Sequence, residues 1–216
     1  MALTDIRKAI ADAEAAAGRV PGSVRLIAVS KVQPLERVEA VLEAGHRLFG
    51  ENRVQEAEAK WPELKARFDG VELHLIGPLQ TNKVKQAVRL FDVIETVDRE
   101  KLAAELAKEM AASGRVLPVF VQVNIGREPQ KAGIDPDDVI DFVARCKTHH
   151  KLDVIGLMCI PPADQPAGPY FAQLAGLAKA AGVAELSMGM SADFETAIAM
   201  GATHVRVGSA LFGSRA

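Results

Sequence analysis

Lys31 closes a nearly unbroken apolar run, Val24-Arg25-Leu26-Ile27-Ala28-Val29-Ser30-Lys31. Such a run reads as a strand buried in a core, so the lysine amine is presented at the rim of that core. Loss of hydration there lowers an ammonium pKa, and a neutral amine is a nucleophile for an aldehyde. The plainer reading, a solvated lysine at a strand end, is equally open from position alone.

A second passage lies near the other end of the chain. Ser187-Met188-Gly189-Met190-Ser191 is followed by Arg206-Val207-Gly208-Ser209. Glycine at a strand-to-helix junction lets backbone amides approach an anion, and the next helix start offers N–H groups at the positive end of a dipole. Ser191 adds a hydroxyl from the neighbouring junction. One Gly-Ser pair would read as a tight turn, but two adjacent junctions with the same pattern read as a phosphate cradle. An amine and a phosphate cradle together suggest pyridoxal phosphate.

Other residues could join them. Arg206 shares a strand face with Gly208. A buried arginine needs a partner, so it is either an ion-pair member inside the fold or a contact for the ring or phosphate. Asn52, within Gly50-Glu51-Asn52-Arg53, is placed to bound the ring or hold water. Glu51, Arg53, Glu56 and Lys83 read equally as a solvated ion-pair set. His74 is either a satisfied core histidine or a ligand contact. Met158, Met188 and Met190 read as packing residues, and Met188, ending a strand, is also a candidate ligand contact. Asn124 ends the fifth strand, with Glu128 and Lys131 just beyond. His149-His150 is a polar helix end, and no metal site is expected.

The elements that must position these residues alternate. A helix with Leu3, Ile6, Ile10, Ala13 and Ala17 on one face stops at Gly18. Strands are expected at 24–30, 46–49, 71–76, 93–97, 117–124, 154–159, 184–188 and 204–207. Helices are expected at 34–45, 55–68, 82–90, 99–113, 136–148, 169–181 and 193–200, with a closing turn at 209–213. Apolar strands each followed by a helix imply a parallel sheet buried on both faces. The predicted class is therefore α/β, a single (β/α)8 TIM barrel with an extra N-terminal helix. An open doubly wound sheet is the alternative. In the barrel, the odd polar residues all gather at the carboxyl ends of the strands, where barrel sites lie.

The chain has 216 residues, 49% hydrophobic and 25% charged, as expected of one soluble domain. Its net charge of −2 gives no basic excess, so nucleic acid is not an expected partner. No apolar run reaches the roughly 20 residues of a membrane helix. The start of the chain is not a signal peptide by pattern. Cys146 and Cys159 lack ligand spacing and are expected to be reduced, so a cytoplasmic location is expected. Nothing calls for an obligate dimer, and a monomer is expected.

Taken together, several segments resemble the pyridoxal phosphate homeostasis protein family. They are Ala28-Val29-Ser30-Lys31, Gly50-Glu51-Asn52-Arg53-Val54-Gln55-Glu56, and the stretch from His74 through Gly77-Pro78-Leu79-Gln80-Thr81-Asn82 to Lys83. Val123-Asn124-Ile125, Lys131-Ala132-Gly133, Gly156-Leu157-Met158, Ile160-Pro161-Pro162, Leu186 to Ser191 and Val205 to Gly213 complete the set, in order, over nearly the whole chain. The loop after Pro162 is shorter than relatives commonly carry.

The resemblance implies one domain over residues 1–216, like the N-terminal barrel of alanine racemase (fold type III). It implies pyridoxal 5′-phosphate as a covalent Schiff base on Lys31, with Ser191, Gly208 and Ser209 on the phosphate. Arg206 beside the pyridine nitrogen would keep that nitrogen unprotonated and the ring a weak electron sink. The implied role is storage, buffering and delivery of the cofactor, with apo-enzymes that require it as partners, and not catalysis. The alternative is an amino-acid racemase or related enzyme. Racemisation needs a base on each face. In racemases the second base is a tyrosine from another domain, and the sole tyrosine of this chain is Tyr170. A lysine aldolase acting on a sugar phosphate is a third reading.

Overall fold

A computed structural model of the chain describes residues 2–213. The single-domain expectation also spans Met1 and residues 214–216, which lie outside the described residues.

The chain runs α1 (Leu3–Ala16), β1 (Arg25–Val29), α2 (Leu35–Glu43), β2 (Leu48–Glu51), α3 (Val54–Arg67) and β3 (Glu72–Leu75). A 3-10 turn, Thr81–Lys83, leads into α4 (Val84–Leu90), followed by β4 (Val93–Val97), α5 (Glu100–Ser113) and β5 (Pro118–Val123). A second 3-10 turn, Pro136–Asp138, opens α6 (Val139–Thr148). Then come β6 (Asp153–Cys159), α7 (Gly168–Ala180), β7 (Glu185–Met190), α8 (Phe194–Ala199), β8 (His204–Val207) and the short α9 (Ser209–Phe212).

The strands close into a parallel barrel in sequence order, and Arg25 to Ala28 of β1 pair with His204 to Val207 of β8. That pairing removes the open-sheet alternative. Side chains alternate across each strand. The outward set joins the helices in the main apolar layer, where Phe49 of β2 meets Trp61 of α3 with ring centroids 4.9 Å apart. Each fully buried aliphatic or aromatic side chain of this layer contributes about 1.5–3 kcal/mol. The inward set differs. Val93, Phe120 and Met158 form a small apolar plug, and His74, Glu95, Ser187, His204 and Arg206 are buried polar groups.

Two local departures from the sequence reading shape the mouth of the barrel, and a buried glutamate fixes its opposite end. The second strand is shifted to Leu48–Glu51, so Glu51 lies inside it rather than beyond its end. A carboxylate is tolerated there because Lys60 of α3 covers it. The seventh strand continues to Met190 through a bulge. Ser187 pairs with His204 and Met190 with Arg206, so β7 spends one residue more than β8 between those pairs. Gly189 carries the bulge at φ +91°, and a Cβ there would stand 2.5 Å from the Ala197 Cβ. Glu14 of α1 is buried. It accepts hydrogen bonds from the N–H groups of Gly22 (2.9 Å) and Val24 (2.7 Å), fixing the chain as it enters β1.

Candidate functional site

A cavity of about 330 Å3 opens at the carboxyl ends of the strands. Lys31 reaches it from the turn after β1, Asn52 from the end of β2, and Ser191 from the end of β7. Arg206 of β8 forms its floor, and Gly208 and Ser209 form the junction into α9. Val29, Ile76, Ile160 and Met190 give it apolar walls. The size and the lining, apolar with a few convergent polar groups, are those of a small-molecule site.

One end of the cavity gathers hydroxyl and backbone N–H groups. The Ser209 hydroxyl donates to Ser191 Oγ at 3.3 Å, and the Ala210 N–H donates to the same oxygen at 3.4 Å. Gly208 is favoured by proximity and not by φ: a Cβ there would lie a tight 3.3 Å from the Val29 carbonyl oxygen.

Arg206 is 4% exposed and is held from two sides. It donates to Ser187 Oγ at 2.8 Å and to the Cys159 carbonyl at 2.8 Å. Behind it runs a chain of hydrogen bonds down the barrel. The Ser187 hydroxyl donates to Glu95 Oε2 at 2.5 Å, and Glu95 Oε1 meets His74 Nδ1 at 2.6 Å. His74 Nε2 meets Glu72 Oε1 at 2.9 Å, and Glu72 pairs with Arg25. Burial works against charge on His74, but the hydrogen bonds to Glu72 and Glu95 outweigh it and raise the pKa. Glu95 is likewise opposed by burial and carried below the usual carboxylate range by His74 and Arg206. The hydrogen bond from His74 holds Glu72 at about 2. Burial drives His204 down to about 4 and the Cys159 thiol up to about 12, so this thiol is no nucleophile at neutral pH.

The turn that carries Lys31 is pinned from outside the barrel. Ser30 donates from its N–H to the Gly50 carbonyl (3.0 Å) and from its hydroxyl to Glu51 Oε1 (2.7 Å). Lys60 Nζ donates to the Ser30 carbonyl (2.9 Å) and to Glu51 Oε1 (2.8 Å), and Trp61 Nε1 donates to the same carboxylate oxygen (3.0 Å). The next residue, Val32, has φ +57° and donates its N–H to Glu56.

Known proteins with this sequence pattern place the chain. The family model described as "Alanine racemase, N-terminal domain" matches residues 4–216. Proteins named pyridoxal phosphate homeostasis protein are similar over nearly the whole chain. The one from Pseudomonas aeruginosa is 41% identical over 95% of this chain and 91% of its own, and the one from Escherichia coli K12 is 38% identical over 99% and 95%. The chain belongs to the pyridoxal phosphate homeostasis protein family. A solved member of like sequence, PipY of Synechococcus elongatus with PLP bound, superposes with a TM-score of 0.81 at 40% identity, covering 94% of this chain and all of that one. The alanine racemase of Bartonella henselae, at 15% identity and a TM-score of 0.70, shares the fold; the match covers 97% of this chain and 59% of that one.

In this homeostasis-family barrel, six of the eight residues singled out from sequence line the one cavity: Lys31, Asn52, Ser191, Arg206, Gly208 and Ser209. Two do not. His74 points into the lumen below the cavity, where both ring nitrogens are taken by carboxylates, so its core reading replaces the ligand-contact reading. Met188 is fully buried in the layer between strands and helices. The bulge at Gly189 makes Met190 the methionine that faces the site. Glu51, read with a solvated set, is 0% exposed. Asn124 donates to the Glu128 carbonyl at 2.8 Å, and Lys131 to the Pro161 carbonyl at 3.0 Å, beside an adjoining cavity of about 190 Å3. Glu95 and Ser187 were not singled out from sequence. A carboxylate inside the apolar run Val93-Ile94-Glu95-Thr96-Val97 was the available signal. Both cysteines are free and buried, and no helix among the described residues is long and apolar enough to cross a membrane.

Proposed function

We propose that this chain binds pyridoxal 5′-phosphate in the mouth cavity, attaches it covalently through Lys31, and works in cytoplasmic storage, buffering and delivery of that cofactor to apo-enzymes that need it, as a monomer. The observation that carries the reading is the convergence of one lysine, two serine hydroxyls and one arginine on a single cavity of about 330 Å3.

The residues present fit the group. Ser191 and Ser209, with the backbone of the Gly208 junction, supply donors for a phosphate. Arg206 supplies a fixed cationic donor for the ring side, and Ile76, Ile160 and Met190 supply apolar walls for its faces. The Asn52 Oδ1 atom is buried and lacks a hydrogen-bond partner among the described residues, which suits an acceptor awaiting a donor from the ligand. When bound, the cofactor supplies an electrophilic aldehyde that condenses with an amine. Lys31 supplies the amine, and Arg206 keeps a positive charge beside the ring without giving it a proton.

Relatives carrying the homeostasis name and the PLP-bound PipY structure support the same reading. The placement of Tyr170 favours a carrier over a racemase. It lies in α7, donates to Gln165, and does not line the cavity, so a second base on the opposite ring face is not supplied by it.

The test is the visible spectrum of the purified protein incubated with pyridoxal phosphate, before and after borohydride, with the modified peptide mapped by mass. A yellow band bleached by borohydride, with the added mass on Lys31, is expected. A colourless protein with no modified lysine overturns the proposal and favours the sugar-phosphate aldolase.

A further inference from the structure

The turn after β1 is held by three charged side chains, Glu51 of β2 and Glu56 and Lys60 of α3. Glu51 is wholly buried between β2 and α3 and accepts from Ser30, Lys60 and Trp61 on one oxygen, while its other oxygen has no hydrogen-bond partner among the described residues. A buried ion pair is weak evidence of stabilisation, since apolar residues of like volume often serve as well. Its geometry here serves Ser30, the residue before Lys31: the carboxylate takes the hydroxyl and the ammonium takes the carbonyl.

One residue beyond Lys31 the backbone is strained. Val32 is β-branched and sits in the left-handed region at φ +57°. Its side chain is 65% exposed, so packing does not compensate the strain. The backbone is held instead by the Val32 N–H to Glu56 and the Gln33 N–H to the Ser30 carbonyl. Glu56 and Lys60 lie one helical turn apart on α3, so one helix face grips both sides of the lysine. Strain of this kind persists where the surroundings over-determine it, and it clusters at functional sites.

We infer that Glu51, Glu56 and Lys60 are positioning residues that aim the Lys31 amine into the cavity for covalent capture of an aldehyde. The inference rests on the function proposed above. In the capture step the lysine nitrogen forms a double bond to the aldehyde carbon. The carbonyl oxygen departs with the two amine protons as one water, and no oxidant or reductant is consumed. Such a step needs the nitrogen near the carbonyl carbon at the start, and a misplacement of about 1 Å costs on the order of 100-fold in rate.

The test separates aiming from pocket integrity. The double variant Glu51→Leu/Lys60→Met removes both arms of the clamp on Ser30 without leaving a lone buried charge. Two probes are used: pyridoxal phosphate, followed as the borohydride-reducible adduct on Lys31, and 4-deoxypyridoxine 5′-phosphate, which has no aldehyde and binds without reacting. The expected result is a rate of adduct formation lowered about 10- to 100-fold, with the dissociation constant of the unreactive probe changed less than about twofold. Glu56→Ala, which removes the acceptor of the Val32 N–H, is expected to show the same split at smaller size, and it decides alone if the double variant does not fold. Lys60→Arg is expected to restore the rate. Equal losses for both probes, or no loss for either, overturns the inference. A wild-type protein that forms no adduct on Lys31 instead overturns the proposed function, and the clamp reading falls with it.

Discussion

His74 and His204 stand 5.8 Å apart inside the barrel, and their surroundings shift the two rings in opposite directions. His74 lies between Glu72 and Glu95, whose hydrogen bonds outweigh its burial and favour the imidazolium. His204 is edge-on to Phe120, and burial keeps it neutral down to about pH 4. The carboxylates thus favour charge on one ring only, where two cations would repel. That ring's counter-ion, Glu95, is the group behind Ser187 and Arg206.

This arrangement sets the acid side of the stability profile. Burial lowers His204 and His46 from 6.5 to about 4, so between those values the unfolded chain binds more protons. Stability therefore falls as pH drops from 6.5 to 4. Glu72, lowered from 4.5 to about 2, extends the loss below pH 4.5. His74 has the opposite sign: its contribution is full below 6.5 and is lost as pH rises through its raised value. Thermal melts from pH 7 to 4 should show a falling midpoint, and two of the five histidines should titrate by NMR near pH 4. A flat profile would contradict the burial of these rings.

Replacing Lys31 by Ala should abolish the reducible adduct, because the cavity holds no second lysine. Phosphate-end contacts remain, so weak binding of pyridoxal phosphate is expected to persist. Peptide mapping after borohydride checks this, and full modification at another lysine would remove Lys31 from its assigned role.

Arg206→Ala removes two hydrogen bonds from a buried guanidinium, each to a defined acceptor. A charged hydrogen bond contributes about 1.5–3 kcal/mol. The barrel should survive, since Glu95 keeps Ser187 and His74 as partners. Ligand retention should weaken at least 10-fold, measured by dialysis of the loaded protein. Retention equal to wild type in a folded variant would exclude Arg206 from the ligand's contacts.

The barrel and its mouth were legible in the sequence because their causes are local. Apolar strands followed by amphipathic helices give the (β/α)8 order, and glycine and serine at strand-to-helix junctions mark one end of the cavity. What alternation missed came from the bulge and from pairing across distance. Counting by twos through Ser187 puts Gly189 inward, whereas the extra residue in β7 returns the inward position to Met190. Glu51 looked like a surface acid because Lys60, which covers it, lies on the following helix, and Glu95 is matched by partners on β3 and β7.

Gly189→Ala tests the bulge directly. The added methyl meets Ala197 at 2.5 Å, at a φ of +91° that alanine disfavours. A stability loss of about 1–3 kcal/mol is expected, with weaker phosphate binding because Ser191 follows the same strand end. Chemical denaturation and a phosphate titration would read both effects. A neutral substitution would mean that the bulge does not set the position of Met190 and Ser191.

Val32→Asn should act in the other direction. Asparagine enters the left-handed region more readily than valine, so a gain of about 1 kcal/mol, or about 2–4 °C in Tm, is expected. A lower midpoint would show that the valine side chain contributes more than its exposure implies.

The polar lumen has a thermal consequence. Exposing apolar surface raises the heat capacity on unfolding, and exposing polar surface lowers it. The outer layer of this barrel does the first, while His74, Glu95, Ser187, His204 and Arg206 do the second. Desolvation of buried charge also becomes less costly on heating. The stability of this chain therefore changes more gently with temperature than that of a barrel of equal length filled with hydrocarbon.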